Sequence, residues 1–266
     1  MPRDEIIIDF HTHAFPDQVA ARAIPSLEEK GNVTAHHDGR VASLLDSMAR
    51  ASIQKSVLCS IATRPSQYEP ILTWSRQIRS ERIIPLPSCH PKDPNVLANI
   101  AKIAEEGFVG IKMHPYYQEF YLEDERLKPM FAAISASGLI LMMHTGYDIG
   151  FPRERRADPA AIIAISKEFP ELKLVTSHFG AWDQWDEVEQ ILLGRPIYMD
   201  ISFALQFLVP ERAKSMLERH PQEYLLFGSD SPWCDQQAVI DQIRGLGLST
   251  SLERALLGGN AERLLN

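Results

Sequence analysis

The sequence has 266 residues, is 45% hydrophobic and 23% charged, and so carries ample apolar material for a sizeable core, which excludes a disordered chain. Its net charge of −8, with no Lys/Arg run longer than two, argues against nucleic acid or an anionic membrane surface as a partner. At this length one domain over 1–266 is expected, because α/β barrels reach about 250 residues as a single unit.

Cys59, Cys89 and Cys234 are odd in number and far apart, with no CxxC pair and no Cys/His spacing of a structural zinc site. A reducing, cytoplasmic setting is expected. Acidic residues stand near the N-terminus where a secretory leader would be basic. The longest apolar stretch, residues 138–143, is far shorter than the roughly 20 residues that span a bilayer. No membrane partner is expected.

In chain order, the first strand-like run is 5–9, followed by a long connection over 14–40 and a helical pattern over 41–52. Further strands are predicted at 56–61, 82–86 and 109–113, with a helix at 95–106. The fifth run, 139–143, leads into a second long connection, 147–158, and a helix at 159–168. The last strands fall at 172–176, 197–201 and 224–227, with helices at 210–220 and 236–246. Most runs are continuously apolar, as parallel strands covered on both faces are. Asp93-Pro94 and Asp158-Pro159 each put a capping carboxylate before a proline suited to the first helical turn.

Eight strands alternating with helices predict a single-domain (β/α)8 TIM barrel, and no GxGxxG or GxxxxGK[ST] phosphate turn speaks for a doubly wound sheet. On the catalytic face of such a barrel, the connections 14–40 and 147–158 are candidates for a lid and a substrate-binding loop.

The chemistry-bearing residues collect at the predicted strand ends. His11-Thr12-His13 follows the first strand, and the i, i+2 spacing on extended backbone puts both imidazoles on one side, able to share an ion. Strand five ends in Met143-His144-Thr145-Gly146, strand six in Ser177-His178-Phe179-Gly180, and strand eight in Gly228-Ser229-Asp230-Ser231-Pro232. In a barrel those C-terminal ends converge on one mouth, so a metal site is expected there.

Strand four carries Lys112 and His114 on the same side, predicted to face the interior. A buried lysine is costly unless paired or modified. Three roles stay open for it: a carbamate ligand of a second metal, a donor to a substrate oxygen, or a partner for a carboxylate such as Asp9, the last two being preferred.

Arg64 and the loop arginines Arg153, Arg155 and Arg156 lie where a substrate carboxylate could meet a bidentate fork, and His114 and His90 could line the pocket. Tyr116, Tyr117, Trp182, Trp185 and Trp233 would either wall an apolar pocket or pack helices. His36, His37 and His220 read as solvated or capping residues.

Taken together, HTH, GIKMHP, MMHTG, SHFG, FGSDSPW and the terminal Gly259-Asn260-Ala261-Glu262-Arg263-Leu264 resemble the amidohydrolase superfamily. More narrowly they resemble its amidohydrolase-2 branch, which includes aminocarboxymuconate semialdehyde decarboxylase and related decarboxylases, hydratases and lactone hydrolases. The motifs span nearly the whole chain in the family's order.

The resemblance implies that His11, His13, His144 and Asp230 are ligands of a mononuclear site and that His178 is its acid/base. Asp230 and Lys112 join His178 as catalytic candidates. Zinc suits imidazole and carboxylate best, and Mn2+ or Fe2+ would accept the same set.

The first expected reaction is hydrolysis of a small, anionic, carbonyl-containing substrate such as a lactone, amide or ester by a metal-activated water. The alternative is non-hydrolytic decarboxylation of an aromatic or muconate-like acid. A small molecule is the expected partner, with a homodimer left open.

Overall fold

A computed structural model describes residues 6–266. The predicted start of the first strand at Glu5, and the acidic N-terminal stretch, lie outside the described residues. Within them are eight strands: β1 (Ile8–Thr12), β2 (Lys55–Cys59), β3 (Ile83–Leu86), β4 (Gly110–Met113), β5 (Ile140–Met143), β6 (Lys173–Thr176), β7 (Tyr198–Asp200) and β8 (Leu225–Leu226). Each of the eight predicted runs overlaps one of them. The first strand sits three residues later than predicted, so His11 and Thr12 belong to the strand itself.

The predicted helices appear as Val41–Arg50, Val96–Glu105, Pro159–Glu168, Pro210–Arg219 and Gln236–Gly245. Asp158 caps its helix by accepting from the amide of Ala161 at 3.0 Å. Asp93 instead accepts from the amide of Asn95, the residue that occupies the cap position, so the helix is capped two residues later than the Asp-Pro signal indicates. The connection 14–40 is not an open loop: it holds the helix Asp17–Gly31, which buries Ala20 and Ile24. Pro25 inside that helix disguises it, because proline lacks the amide an interior turn needs.

The chain packs as two compact units, one of residues 1–58, 80–84 and 193–266, the other of 59–79 and 85–192. In the first, β1 pairs in parallel with β2, Ile8 opposite Lys55 and Asp9 opposite Ser56. The register then slips, since Thr12 faces Leu58: two residues, Phe10 and His11, oppose Val57 alone. Such a bulge bends its strand and re-aims the side chains on it. On its other edge β1 meets the β8 segment, with the amide of Phe10 on the carbonyl of Phe227 at 2.7 Å and that of Asp230 on His11 at 2.8 Å. β8 in turn pairs with β7, Asp200 opposite Leu226.

In the second unit β4, β5 and β6 run parallel and in step, Lys112 opposite Met142 and Met142 opposite Val175. All four residues of β4 and of β5 are buried, as are all five of β1. That is the burial expected of strands covered on both faces. Each fully buried Leu, Ile or Met contributes about 1.5–3 kcal/mol. No helix among the described residues is long and apolar enough to cross a membrane.

Candidate metal and active site

His11, His13 and Asp230 meet at the C-terminal ends of β1 and β8, and one donor atom from each lies within 4.8 Å of the others. Oδ1 of Asp230 stands 3.1 Å from Nε2 of His13 and 3.6 Å from Nε2 of His11. The rings are 5.1 Å apart, edge to face. Asp230 holds its place at φ 65, in the left-handed region that non-glycine residues avoid and that recurs at functional sites.

The setting of His11 bears on what this trio can hold. Its Nδ1 lies 2.9 Å from Oδ2 of the buried Asp200. A carboxylate accepts, so Nδ1 donates, and in the neutral ring Nε2 is then the lone-pair nitrogen. In that neutral ring the lone pair of Nε2 and Oδ1 of Asp230 face each other across 3.6 Å, an arrangement that a cation makes favourable. Two imidazoles and a carboxylate are also the donor set that divalent zinc, manganese or iron accepts, so the residues fit such an ion.

Behind the triad lies Asp9, fully buried, with its carboxylate accepting from Ser229 N at 2.9 Å, Ser229 Oγ at 2.5 Å and Gln236 Nε2 at 2.7 Å. Burial pushes its pKa up to about 6 against the pull of these hydrogen bonds. The segment after the first helix closes over the same strand end. The amide of His36 donates to Pro232 O, and His37, whose Nδ1 accepts from Gly39 N, donates from Nε2 to Ser231 Oγ at 2.9 Å. His37 is thus a latch rather than a solvated residue.

His144 and His178, the other two predicted histidines, stand in the second unit, where His114, His144 and Asp148 form a separate cluster of donor atoms. The rings of His114 and His144 stack at 4.0 Å with a 15° tilt. Nε2 of His114 is 3.2 Å from Oδ2 of Asp148. Nε2 of His144 meets the carbonyl of Tyr147 at 3.0 Å, and its Nδ1 meets Nε2 of His178 at 3.0 Å. Burial and the neighbouring imidazoles hold the pKa of His144 well below the usual histidine range, so the ring is neutral. His178 sits at φ 57, and Trp185 donates to its carbonyl.

Lys112 in β4 and His114, one residue past its end, are both buried, as are Ile111 and Met113 beside them. The backbone of Lys112 is fixed by its amide on Pro87 O and by Ser88 Oγ on its carbonyl. Arg64 is exposed at the start of a short turn. The three loop arginines each meet carboxylates: Arg153 pairs with Asp183, Arg155 with Glu187 and Asp158, and Arg156 with Glu154. Arg156 also lies over the rings of Tyr116 and Tyr121. His90 accepts from the amide of Lys92. Tyr116 is buried and donates to Gly146 O, while Tyr117 and Phe151 pack edge to face at 4.8 Å. His220 is buried rather than solvated, its Nε2 donating to Ile197 O, and it occupies the C-cap of the helix Pro210–Arg219, the capping place expected for it.

Three residues beside these sites escaped the motif reading. Asp200 stands one residue before the end of predicted strand seven and ends the observed β7, so the strand-end rule applied to the other strands finds it. Asp148, in the long connection after β5, carries no local signal. Ser202 carries none either.

A model of the amidohydrolase family (Amidohydro_2) matches residues 8–266. No curated protein matches the chain. Among solved structures, an uncharacterized TIM-barrel protein from Bordetella bronchiseptica is similar with 21% identity and a TM-score of 0.76, over 97% of this chain and 98% of its own. A 5-carboxyvanillate decarboxylase from Novosphingobium aromaticivorans, complexed with manganese and 4-hydroxy-3-methoxy-5-nitrobenzoic acid, is similar with 15% identity and a TM-score of 0.73, over 99% and 97%. A 2,6-dihydroxybenzoate decarboxylase from Rhizobium shows 12% identity and a TM-score of 0.69, over 98% of each chain. These likenesses show the expected single-domain TIM-barrel fold. With the family model covering all but the first seven residues, the chain belongs to the amidohydrolase-2 family.

Proposed function

We propose that the protein is a metal-dependent carboxy-lyase acting on a small aromatic acid, the second of the two reactions its sequence leaves open. The observation that carries this reading is the near full-length alignment with decarboxylases of benzoic acids, one of them holding manganese. The His11, His13 and Asp230 set supports it by offering the donors such an ion takes. Hydrolysis of a lactone, amide or ester has less behind it, since the neighbours named for a specific reaction are decarboxylases.

In this reaction the bond between ring carbon and carboxylate breaks and its electron pair stays on the ring carbon. A proton then takes the vacated position as carbon dioxide leaves. His11, His13 and Asp230 would hold a divalent ion, which supplies Lewis acidity towards the oxygens of an anionic substrate. His178, the acid/base that the family resemblance implies, delivers the proton. Asp230 and Lys112 assist in binding and proton movement.

The test is an assay of metal-loaded protein against hydroxylated benzoic acids for carbon dioxide release, with lactones, esters and amides as a hydrolytic arm. Release that a chelator abolishes and Mn2+ or Zn2+ restores supports the reading. Hydrolysis without any carbon dioxide release overturns it.

A further inference from the structure

We infer that Asp200, supported by Ser202, is a positioning residue that fixes His11 in the tautomer able to hold a divalent cation. The inference rests on the metal reading above and adds to it the residue that prepares one ligand.

Asp200 is fully buried at the end of β7. Its Oδ1 accepts from the amide of Ser202 at 2.8 Å, which turns Oδ2 onto Nδ1 of His11 at 2.9 Å. Ser202 Oγ reaches the same Nδ1, also at 2.9 Å. The approach depends on Gly228: a Cβ there would stand 2.8 Å from Cβ of His11 and 3.3 Å from both Cγ of Asp200 and Cβ of Ser202. The sequence thus leaves out a side chain where these three residues converge.

A buried carboxylate is expensive to keep charged, and an apolar residue of like volume is often no less stable in such a place. What the carboxylate does here is accept a hydrogen bond from Nδ1–H, so that Nε2 of the neutral ring presents a lone pair towards Asp230, while also making that nitrogen more basic. Removal of such an outer partner commonly weakens metal binding 10- to 100-fold. An asparagine at this position can rotate its amide to donate to Nδ1, which selects the opposite tautomer.

Two measurements test the inference. In metal-free wild-type protein labelled with 15N-histidine, His11 is expected as the Nδ1–H tautomer; the Nε2–H tautomer overturns the inference without any variant. Competition with a chromophoric chelator then reads Zn2+ affinity. Asp200→Asn is expected to bind Zn2+ about 10- to 100-fold more weakly than wild type, and Ser202→Ala to fall between the two.

If Asp200 served folding alone, Asp200→Asn would lower the Tm of the metal-free protein and leave the Zn2+ affinity of its folded form unchanged. That result overturns the inference while the metal reading stands. Should Asp200→Asn fail to fold, the wild-type tautomer and the Ser202→Ala affinity decide. A wild-type protein that binds no Zn2+ overturns the metal reading and this inference with it.

Discussion

Nδ1 of His144 accepts a hydrogen bond from Nε2 of His178 across 3.0 Å, and the direction of that bond is set three residues along the chain, by the backbone carbonyl of Tyr147. Tyr147 O can only accept, so Nε2 of His144 carries the ring proton. Because burial keeps His144 neutral, its Nδ1 is left to accept, and His178 must donate. The pair therefore has one defined proton arrangement in the resting protein.

For His178 the expected consequence is catalytic. His178→Asn should lower kcat by at least about a hundredfold, the usual worth of a general acid or base, while keeping most of the bound metal. Steady-state kinetics beside metal content decide it: metal lost together with activity would make His178 a ligand.

Metal stoichiometry follows from the donor set. Purified protein is expected to carry about one divalent ion per chain. His13→Ala and Asp230→Asn should each reduce that content severely under mild chelation. Elemental analysis after gel filtration gives the count, and two tightly held ions per chain would refute a mononuclear site.

Gly146 makes a stability prediction that no functional role is needed to explain. It adopts φ 84, and a Cβ there would lie 2.1 Å from the amide nitrogen of Trp182 and 2.5 Å from its carbonyl oxygen. Backbone atoms cannot give way as a flexible side chain can. Gly146→Ala is expected to cost about 3 kcal/mol or more, combining a strained conformation with overpacking. Urea denaturation measures it, and a loss below about 1 kcal/mol would show that the turn relaxes.

The buried His220 contributes to acid sensitivity. Burial lowers its pKa from the ordinary 6.5, against the hydrogen bond to Ile197 that favours the charged form. Below pH 6.5 the unfolded chain therefore binds a proton that the folded protein resists, so this contribution to stability is present above that pH and declines as pH falls. The stability difference between wild type and His220→Gln should shrink as pH drops below about 6.5. Parallel pH profiles for the two proteins would exclude the effect.

What the sequence by itself determined is the element order and the residues placed at strand ends. Continuous apolar runs mark buried parallel strands because both faces are covered, and local spacing places His11, His13, His144, His178 and Asp230 just at or beyond them. The Pro25 helix was hidden because the local rule against interior proline is overridden where burial of Ala20 and Ile24 supplies the stability.

Only the tertiary structure decided which of these side chains share a setting and in what protonation. Asp200 and His11 are 189 residues apart in the chain, and their 2.9 Å contact depends on a bulge in β1 and on the missing side chain of Gly228. The loop arginines look alike in sequence, yet Arg153 and Arg155 meet the remote Asp183 and Glu187 while Arg156 pairs with Glu154 of its own loop. Tautomers and ion pairs depend on distances of a few ångströms between segments remote in sequence, and no local pattern encodes such distances.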